Sequence, residues 1–272
     1  MAFELNEVPG KEVSITEDGK SVLTFSYGKT ELQPNFHPIY TPNEKIITNG
    51  ISGSNLQGLC FLCGTVKDST NKQLLNKLRI DANNEIMSPI LIPNKGSARF
   101  IHETVLRHEG NRLSKKYFVS VYPLHNNTRK LDVTIVLHSI SGFYVFEDAI
   151  GLSYQAAEME HRKVADSNNR IGESEVDGKE TEWATLCGII DNTAVGVAIL
   201  PHPDNGITCF KVEDAYKGYM LAQPPMFTLD TNATHTLKYR LIVYVGDLFT
   251  TNIADYYQEY ISDENINTFE AT

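Results

Sequence analysis

The chain has 272 residues, 41% hydrophobic and 21% charged, enough apolar content for a sizeable core and, in an all-β chain, for one large unit. Its formal net charge of −10, from 24 Lys and Arg against 34 Asp and Glu, argues against a surface built for nucleic-acid phosphates. No apolar run approaches the roughly 20 residues that span a bilayer, and the opening MAFELNEVPGKEV puts Glu4 and Glu7 where a secretory leader needs positive charge, so a cytoplasmic chain is expected.

In chain order, segments 11–16 and 21–28 read as strands around the turn Asp18-Gly19. A His-Pro segment and a polar loop lead to a strand candidate at 59–66, followed by candidates at 77–81, 86–92, 97–108 and 117–123. Leu131, Val133, Ile135 and Leu137 then alternate with Asp132, Thr134 and His138. This period of two marks a strand with one face on a core and one in solvent. After a candidate at 142–148, the run Gln155–Val164 has helical local preference but sits among strands, and its state is left open. Further strands are expected at 181–190, at Val195, Val197 and Ile199, and at 207–213. Leu237, Tyr239, Leu241, Val243 and Val245 alternate with Lys238 and Arg240. Polar turns separate the strands at Glu109-Gly110-Asn111, His125-Asn126-Asn127, Asp177-Gly178 and Asp204-Asn205-Gly206. Ile253, Tyr256, Tyr257, Tyr260 and Ile261 recur at helical spacing, with Thr251 or Asn252 to start a C-terminal helix over about 250–262. No repeat or linker divides the chain. The expectation is one domain over 1–272, an all-β, mainly antiparallel sandwich with a C-terminal helix.

Cys60, Cys63, Cys187 and Cys209 are too few for a disulfide scaffold. Cys60 and Cys63 form a Cys-x-x-Cys, but residues three apart on a strand point to opposite faces and share a metal poorly, so they read as small hydrophobes of a buried strand. Lys115 and Lys116 are the densest basic spot and read as turn charges. On one strand His102 and His108 would share a face with Glu103 opposite, which suits a solvent-facing sheet surface. Glu158, Glu160 and His161 read as a solvated charged patch.

NFHPIYTPNEKIITNG (Asn35 to Gly50) and GLCF (Gly58 to Phe61) resemble opening motifs of the family labelled methane oxygenase PmoA-like. Ile171-Gly172-Glu173, Glu182-Trp183-Ala184, His202-Pro203-Asp204-Asn205 and Tyr216-Lys217-Gly218-Tyr219 follow in the order the family shows, so the resemblance covers about residues 12 to 248. It implies a large sandwich similar to the galactose-mutarotase-like supersandwiches, with an association with carbohydrate catabolism. It does not imply methane oxidation, because a particulate methane oxygenase subunit is a membrane protein. The family's loop of the form Asp-His-Pro-x-His-x-Gly aligns with Ser52-Gly53-Ser54-Asn55-Leu56-Gln57-Gly58, which has lost every histidine. Cys60 stands for an aromatic, and Glu213 or its neighbour stands for a basic residue.

His37 and His202, each before a proline, are the candidate catalytic residues, since a neutral imidazole beside a cleft serves as a proton acceptor or donor. The plainer alternative is a structural His-Pro turn. Gln57, Asn205, Tyr219, Arg240 and Trp183 are candidate ligand-binding residues, with core packing as the alternative for Trp183. No metal or cofactor is expected. The expected function is binding of, or proton transfer or hydrolysis on, a carbohydrate-like small molecule in a concave sheet face. A non-catalytic ligand-binding or assembly module is the alternative, and a metal-dependent enzyme of sugar catabolism the third. No nucleic-acid or membrane partner is expected, and a homo-oligomer is left open.

Overall fold

A computed structural model of the chain describes residues 2–28, 33–50, 57–67, 73–76, 84–92, 96–108, 110–213, 218–248 and 250–263. Two large antiparallel sheets dominate it. Neighbour by neighbour, the first runs through Phe3–Val8, Glu12–Glu17, Lys20–Ser26, Asn35–Ile39, Leu59–Cys63, Ile150–Gln155, Tyr219–Gln223, Cys209–Glu213 and Lys179–Glu180. The second runs through Glu160–Asp166, Ala184–Ile190, Thr193–Pro201, Thr234–Val245, Thr128–Ser141, Asn111–Val121, Ala98–His108 and Glu85–Ile86, with Ile90–Ile92 also paired to Ala98–His108. A smaller sheet joins Phe227–Leu229, Tyr144–Phe146, Thr65–Lys67 and Gln73–Asn76.

Register turns the alternating patterns into a core. Tyr117 lies opposite Ile135 and Ile135 opposite Leu237, while Val119, Val133 and Tyr239 form the next row. Side chains two apart on a strand share a face, so these rows make one continuous apolar surface. Val13, Ile15, Phe25, Leu59, Phe61, Leu152, Tyr154 and Met220 of the first sheet join them in a single cluster. Phe25 marks the seam, its ring 5.1 Å from Phe100 of the other sheet. Each such side chain contributes about 1.5–3 kcal/mol by leaving water, so the sandwich rests on the two inner faces.

The outer face of the second sheet is apolar where the C-terminal helix, Ile253–Ser262, covers it. Ile253, Tyr257 and Tyr260 pack on Cys187, Ala198, Leu200, Ile242 and Tyr244. Asn252 precedes the helix, but its side-chain amide donates to Asp255 Oδ2 at 2.6 Å and caps no backbone group. No helix among the described residues is long and apolar enough to cross a membrane.

Three sequence expectations change. The helix-like run Gln155–Val164 closes one strand at Gln155 and opens the next at Glu160, because pairing with Ala184–Ile190 overrides local preference. Trp183, expected inside a strand over 181–190, stands one residue before the strand Ala184–Ile190, half-buried against the cluster under the helix. Lys115 belongs to no turn: it sits mid-strand opposite Leu137, fully buried. The expected strand 77–81 and the motif residues Tyr216 and Lys217 lie outside the described residues.

Candidate functional site

The predicted residues divide between two places. His37 lies on Asn35–Ile39 between the core residues Phe36 and Ile39, turned to the outer face of the first sheet and half-buried. Its Nδ1 is 2.9 Å from Thr48 Oγ1, which also accepts the Ile39 N–H at 3.0 Å. Burial moves its pKa down, favouring the neutral ring. The backbone wraps the imidazole closely. A Cβ on Gly50 would stand 2.1 Å from His37 Nε2, and one on Gly58, at φ +59°, would stand 2.2 Å from Phe36 O. Only glycine fits at Gly58, while a side chain at Gly50 would displace the His37 ring. Gln57 is half-buried before Gly58. Tyr219 is buried opposite Gln155 on the same sheet, three strand spacings from His37, or roughly 14 Å. Residues 51–56, where the resemblance expected histidines, lie outside the described residues.

Cys60 and Cys63 are both buried in Leu59–Cys63. Cys63 joins the apolar core, while the Cys60 sulfur takes the Gln33 amide at 3.0 Å and lies 3.1 Å from Ser153 Oγ. Burial pushes both thiols up, so they stay protonated.

His202 follows the strand Thr193–Pro201 and opens the 3-10 turn Pro203–Asn205. Its Nδ1 accepts the Asp204 N–H at 3.2 Å. Burial first, and the Lys238 charge after it, lower its pKa against the opposing pull of Asp204. The neutral ring therefore carries its proton on Nε2, which acts as a donor. The Asp204 carboxylate, 3.3 Å from Nδ1, is also bound to Lys238 Nζ at 2.7 Å. Asn205 is consumed in placing this turn: its amide donates to Lys238 O at 2.7 Å and accepts Lys238 N–H at 2.8 Å. Tyr260 meets the His202 ring edge-on at 5.3 Å.

His202 lines an open cleft of about 520 Å³ between this turn, the segment 180–182, the 167–168 loop and the helix residue Tyr257. Its wall is braced. Asp166 Oδ1 accepts the backbone N–H groups of Asn168 and Arg170 at 3.0 and 3.1 Å, and Arg170 Nε donates to Asp166 Oδ2 at 2.6 Å. Ser167 and Thr181 hydroxyls meet at 2.7 Å, and Asn168 Nδ2 reaches Thr181 at 3.4 Å. Thr208 is 4% exposed and its hydroxyl has no hydrogen-bond partner among the described residues. Glu180 and Glu182 line the same cleft and are exposed. Sequence reading missed Ser167, Asn168, Thr208 and the two glutamates. The legible signal was Glu180-Thr181-Glu182, two carboxylates two residues apart where the strand Lys179–Glu180 gives way to a bend.

Arg240 stands apart from the cleft. It is 1% exposed, donates to both Asp132 carboxylate oxygens at 2.7 and 2.9 Å, and lies 4.7 Å from the Tyr260 ring centre. The two residues face each other on neighbouring strands of the second sheet, and the guanidinium meets the helix end through the Tyr260 ring and the Glu259 and Asp263 carboxylates at 3.7 and 3.8 Å.

A third polar cluster faces inward. His102 is fully buried, 4.9 Å from the Tyr27 ring, with Nε2 3.1 Å from Thr104 Oγ1. Burial, with the Lys115 charge added, pushes its pKa down to about 3. Lys115 makes no ion pair among the described residues, and burial lowers its pKa too. The buried Tyr117 hydroxyl has no partner there either. The solvent-facing expectation for His102 is therefore corrected, while Glu103 does lie on the opposite face, bound by Ser114 Oγ at 2.5 Å and Lys116 Nζ at 3.1 Å. The side chain of His108 lies outside the described residues.

A family model described as "Family of unknown function (DUF6807)" matches residues 97–258, more than half of the chain. The match takes in every cleft residue named above, while His37 and Gln57 fall before it. It corrects the resemblance drawn from Asn35–Gly50: the matched family carries no methane-oxygenase label, and that assignment is withdrawn. No curated protein matches the chain significantly. Among solved structures, the chain is similar to an alpha-galactosidase from Lactobacillus brevis, at 10% identity over 94% of this chain and 42% of that one, with a TM-score of 0.34. It is similar to the Slr1438 protein from Synechocystis sp. PCC 6803 at 10% identity, 89% and 95% coverage and a TM-score of 0.38. A polysaccharide lyase matches at 11% identity, 90% and 32% coverage and a TM-score of 0.34. The chain thus spans less than half of the first and third of these proteins, and likeness this distant carries no functional argument.

Proposed function

The chain belongs to this family of unknown function, DUF6807, and from that premise we propose that it binds a polyhydroxylated, carbohydrate-like small molecule in the His202 cleft. The observation that carries the reading is Thr208: a buried hydroxyl without a partner, on the wall of an open cleft. No protein group among the described residues bonds this hydroxyl, and a ligand hydroxyl bonded there would contribute about 0.5–1.5 kcal/mol. The rest of the lining suits the same ligand. Ser167, Asn168 and Thr181, bonded to one another, make a fixed polar wall, and Tyr257 and Ile207 offer apolar surface. The volume falls within the roughly 300–1,000 Å³ range of small-molecule sites.

The tautomer of His202 favours binding over catalysis. A general base needs a lone pair facing the substrate. Here the lone pair is on Nδ1, committed to the Asp204 N–H, and Nε2 is left to donate. Calorimetric titration against a panel of mono- and disaccharides tests the proposal, with Thr208→Val as the control variant. Binding by the native chain and about a tenfold loss in the variant are expected, since one hydrogen bond in a buried site is worth roughly 1.4 kcal/mol. No binding by any saccharide, or equal binding by the variant, would sink it.

A second reading, proton transfer by His37, is supported by the anchoring of Nδ1 on Thr48, which orients the ring as a catalytic base is oriented. Screening for saccharide isomerisation or hydrolysis tests it. Turnover that survives His37→Ala removes it.

A further inference from the structure

We infer that the cleft selects a cationic polyol, an amino sugar with a protonated amine, over neutral and anionic sugars; the inference rests on the saccharide-binding reading. Glu180 and Glu182 both line the cleft, and neither carboxylate makes an ion pair or hydrogen bond among the described residues. No lysine or arginine lines it. Of the nearby cations, Lys238 holds Asp204 at 2.7 Å and Arg170 holds Asp166 at 2.6 Å, while Lys179 and Lys211 are not part of the lining. Arg170 also reaches Glu180, but at its backbone carbonyl, 2.9 Å away, and not at the carboxylate. His202 adds no compensating charge while its ring is neutral. Two negative charges thus face a wall that otherwise holds only neutral groups.

The unpartnered Thr208 hydroxyl is the independent sign of a ligand, because carboxylates alone would suit a solvated surface. An ammonium beside the carboxylates with hydroxyls on the Thr208 side satisfies both. A uronate or sugar phosphate would bring a third negative charge and be repelled. Exposed charge pairs are screened, so the preference is modest, about three- to tenfold for two carboxylates at low salt.

Isothermal titration in EDTA-containing buffer with glucosamine, N-acetylglucosamine, glucose and glucuronate is the test. EDTA keeps a metal cation from standing in for the amine. Glucosamine is expected to bind about three- to tenfold tighter than glucose and N-acetylglucosamine, and glucuronate weakest. The preference should vanish in the E180Q/E182Q double variant and shrink at high salt. Equal affinities for glucosamine and glucose, or a preference that survives the double variant, overturn the inference and leave the saccharide reading standing. No binding of any of the four sugars overturns both.

Discussion

The interior cluster around His102 and the cleft around His202 each hold an imidazole among polar neighbours, and they treat charge in opposite ways. His102, Lys115 and Tyr117 project from the second sheet into the apolar seam of the sandwich, where burial works against every charged form. His202 stands at a strand end beside solvent, with two exposed carboxylates across the cleft. A polar group in the seam acts on stability, because its desolvation is felt whether or not a ligand is present. An exposed polar group of the cleft, such as the Glu180 or Glu182 carboxylate, is free to act on binding, because water satisfies it until a ligand arrives. The number of polar residues does not separate the two places; access to water does.

The largest expected effect lies inside. His102 has a folded-state pKa of about 3 against an ordinary 6.5. Below pH 6.5 the unfolded chain takes up a proton that the folded one refuses, so stability falls as pH drops from 6.5 toward 3, by roughly 4–5 kcal/mol over the whole window. Urea unfolding of the native chain and His102→Phe at pH 7, 5 and 4 checks this. The variant should lose that part of the acid sensitivity, and parallel pH profiles would break the comparison.

Asp132→Ala comes next. It leaves the Arg240 guanidinium buried without its bidentate partner, and a loss of about 3–5 kcal/mol is expected in chemical denaturation. The double change Asp132→Leu with Arg240→Met should recover much of it, since no uncompensated charge remains.

Lys115→Met is expected to raise stability at neutral pH, by about 1–4 kcal/mol, because it removes a buried ammonium that has no ion-pair partner among the described residues. The sign follows from the lowered pKa. Below the folded pKa the desolvation penalty is complete, and it fades as pH rises toward the ordinary lysine range. The gap between variant and native chain should therefore narrow from pH 7 to pH 10. A gap that widens would show that Lys115 has a counter-charge.

The smallest effect belongs to the cleft. Glu180→Gln and Glu182→Gln should each change stability by less than about 0.5 kcal/mol in thermal melts. A large loss from either would make the cleft a structural region like the interior and erase the contrast.

Much of the scaffold was legible in local pattern. The alternation at Leu131–Leu137 and Leu237–Val245 marked both strands and their inner faces, and the tyrosines of Ile253–Ser262 marked the helix. His202 and Asn205 were legible as polar groups near one another, but their hydrogen bonds make one a cap and the other a clamp on Lys238. His37 was placed beside Thr48 and Gly50, which come from later in the chain. Lys115 was misread because Lys-Lys between polar neighbours looks like a turn, and only pairing with Leu137 puts it inside.

By itself the sequence determined which segments extend, which face of each is apolar, and that one helix closes the described chain. Those are local properties, set by side-chain period and backbone preference. Only the tertiary structure decided which polar residues lose water and which keep it. That depends on strand register and on which face a second element covers, and both join residues far apart in sequence: Lys115 to Leu137, Asp132 to Arg240, Ser167 to Thr181 and His202 to Tyr260.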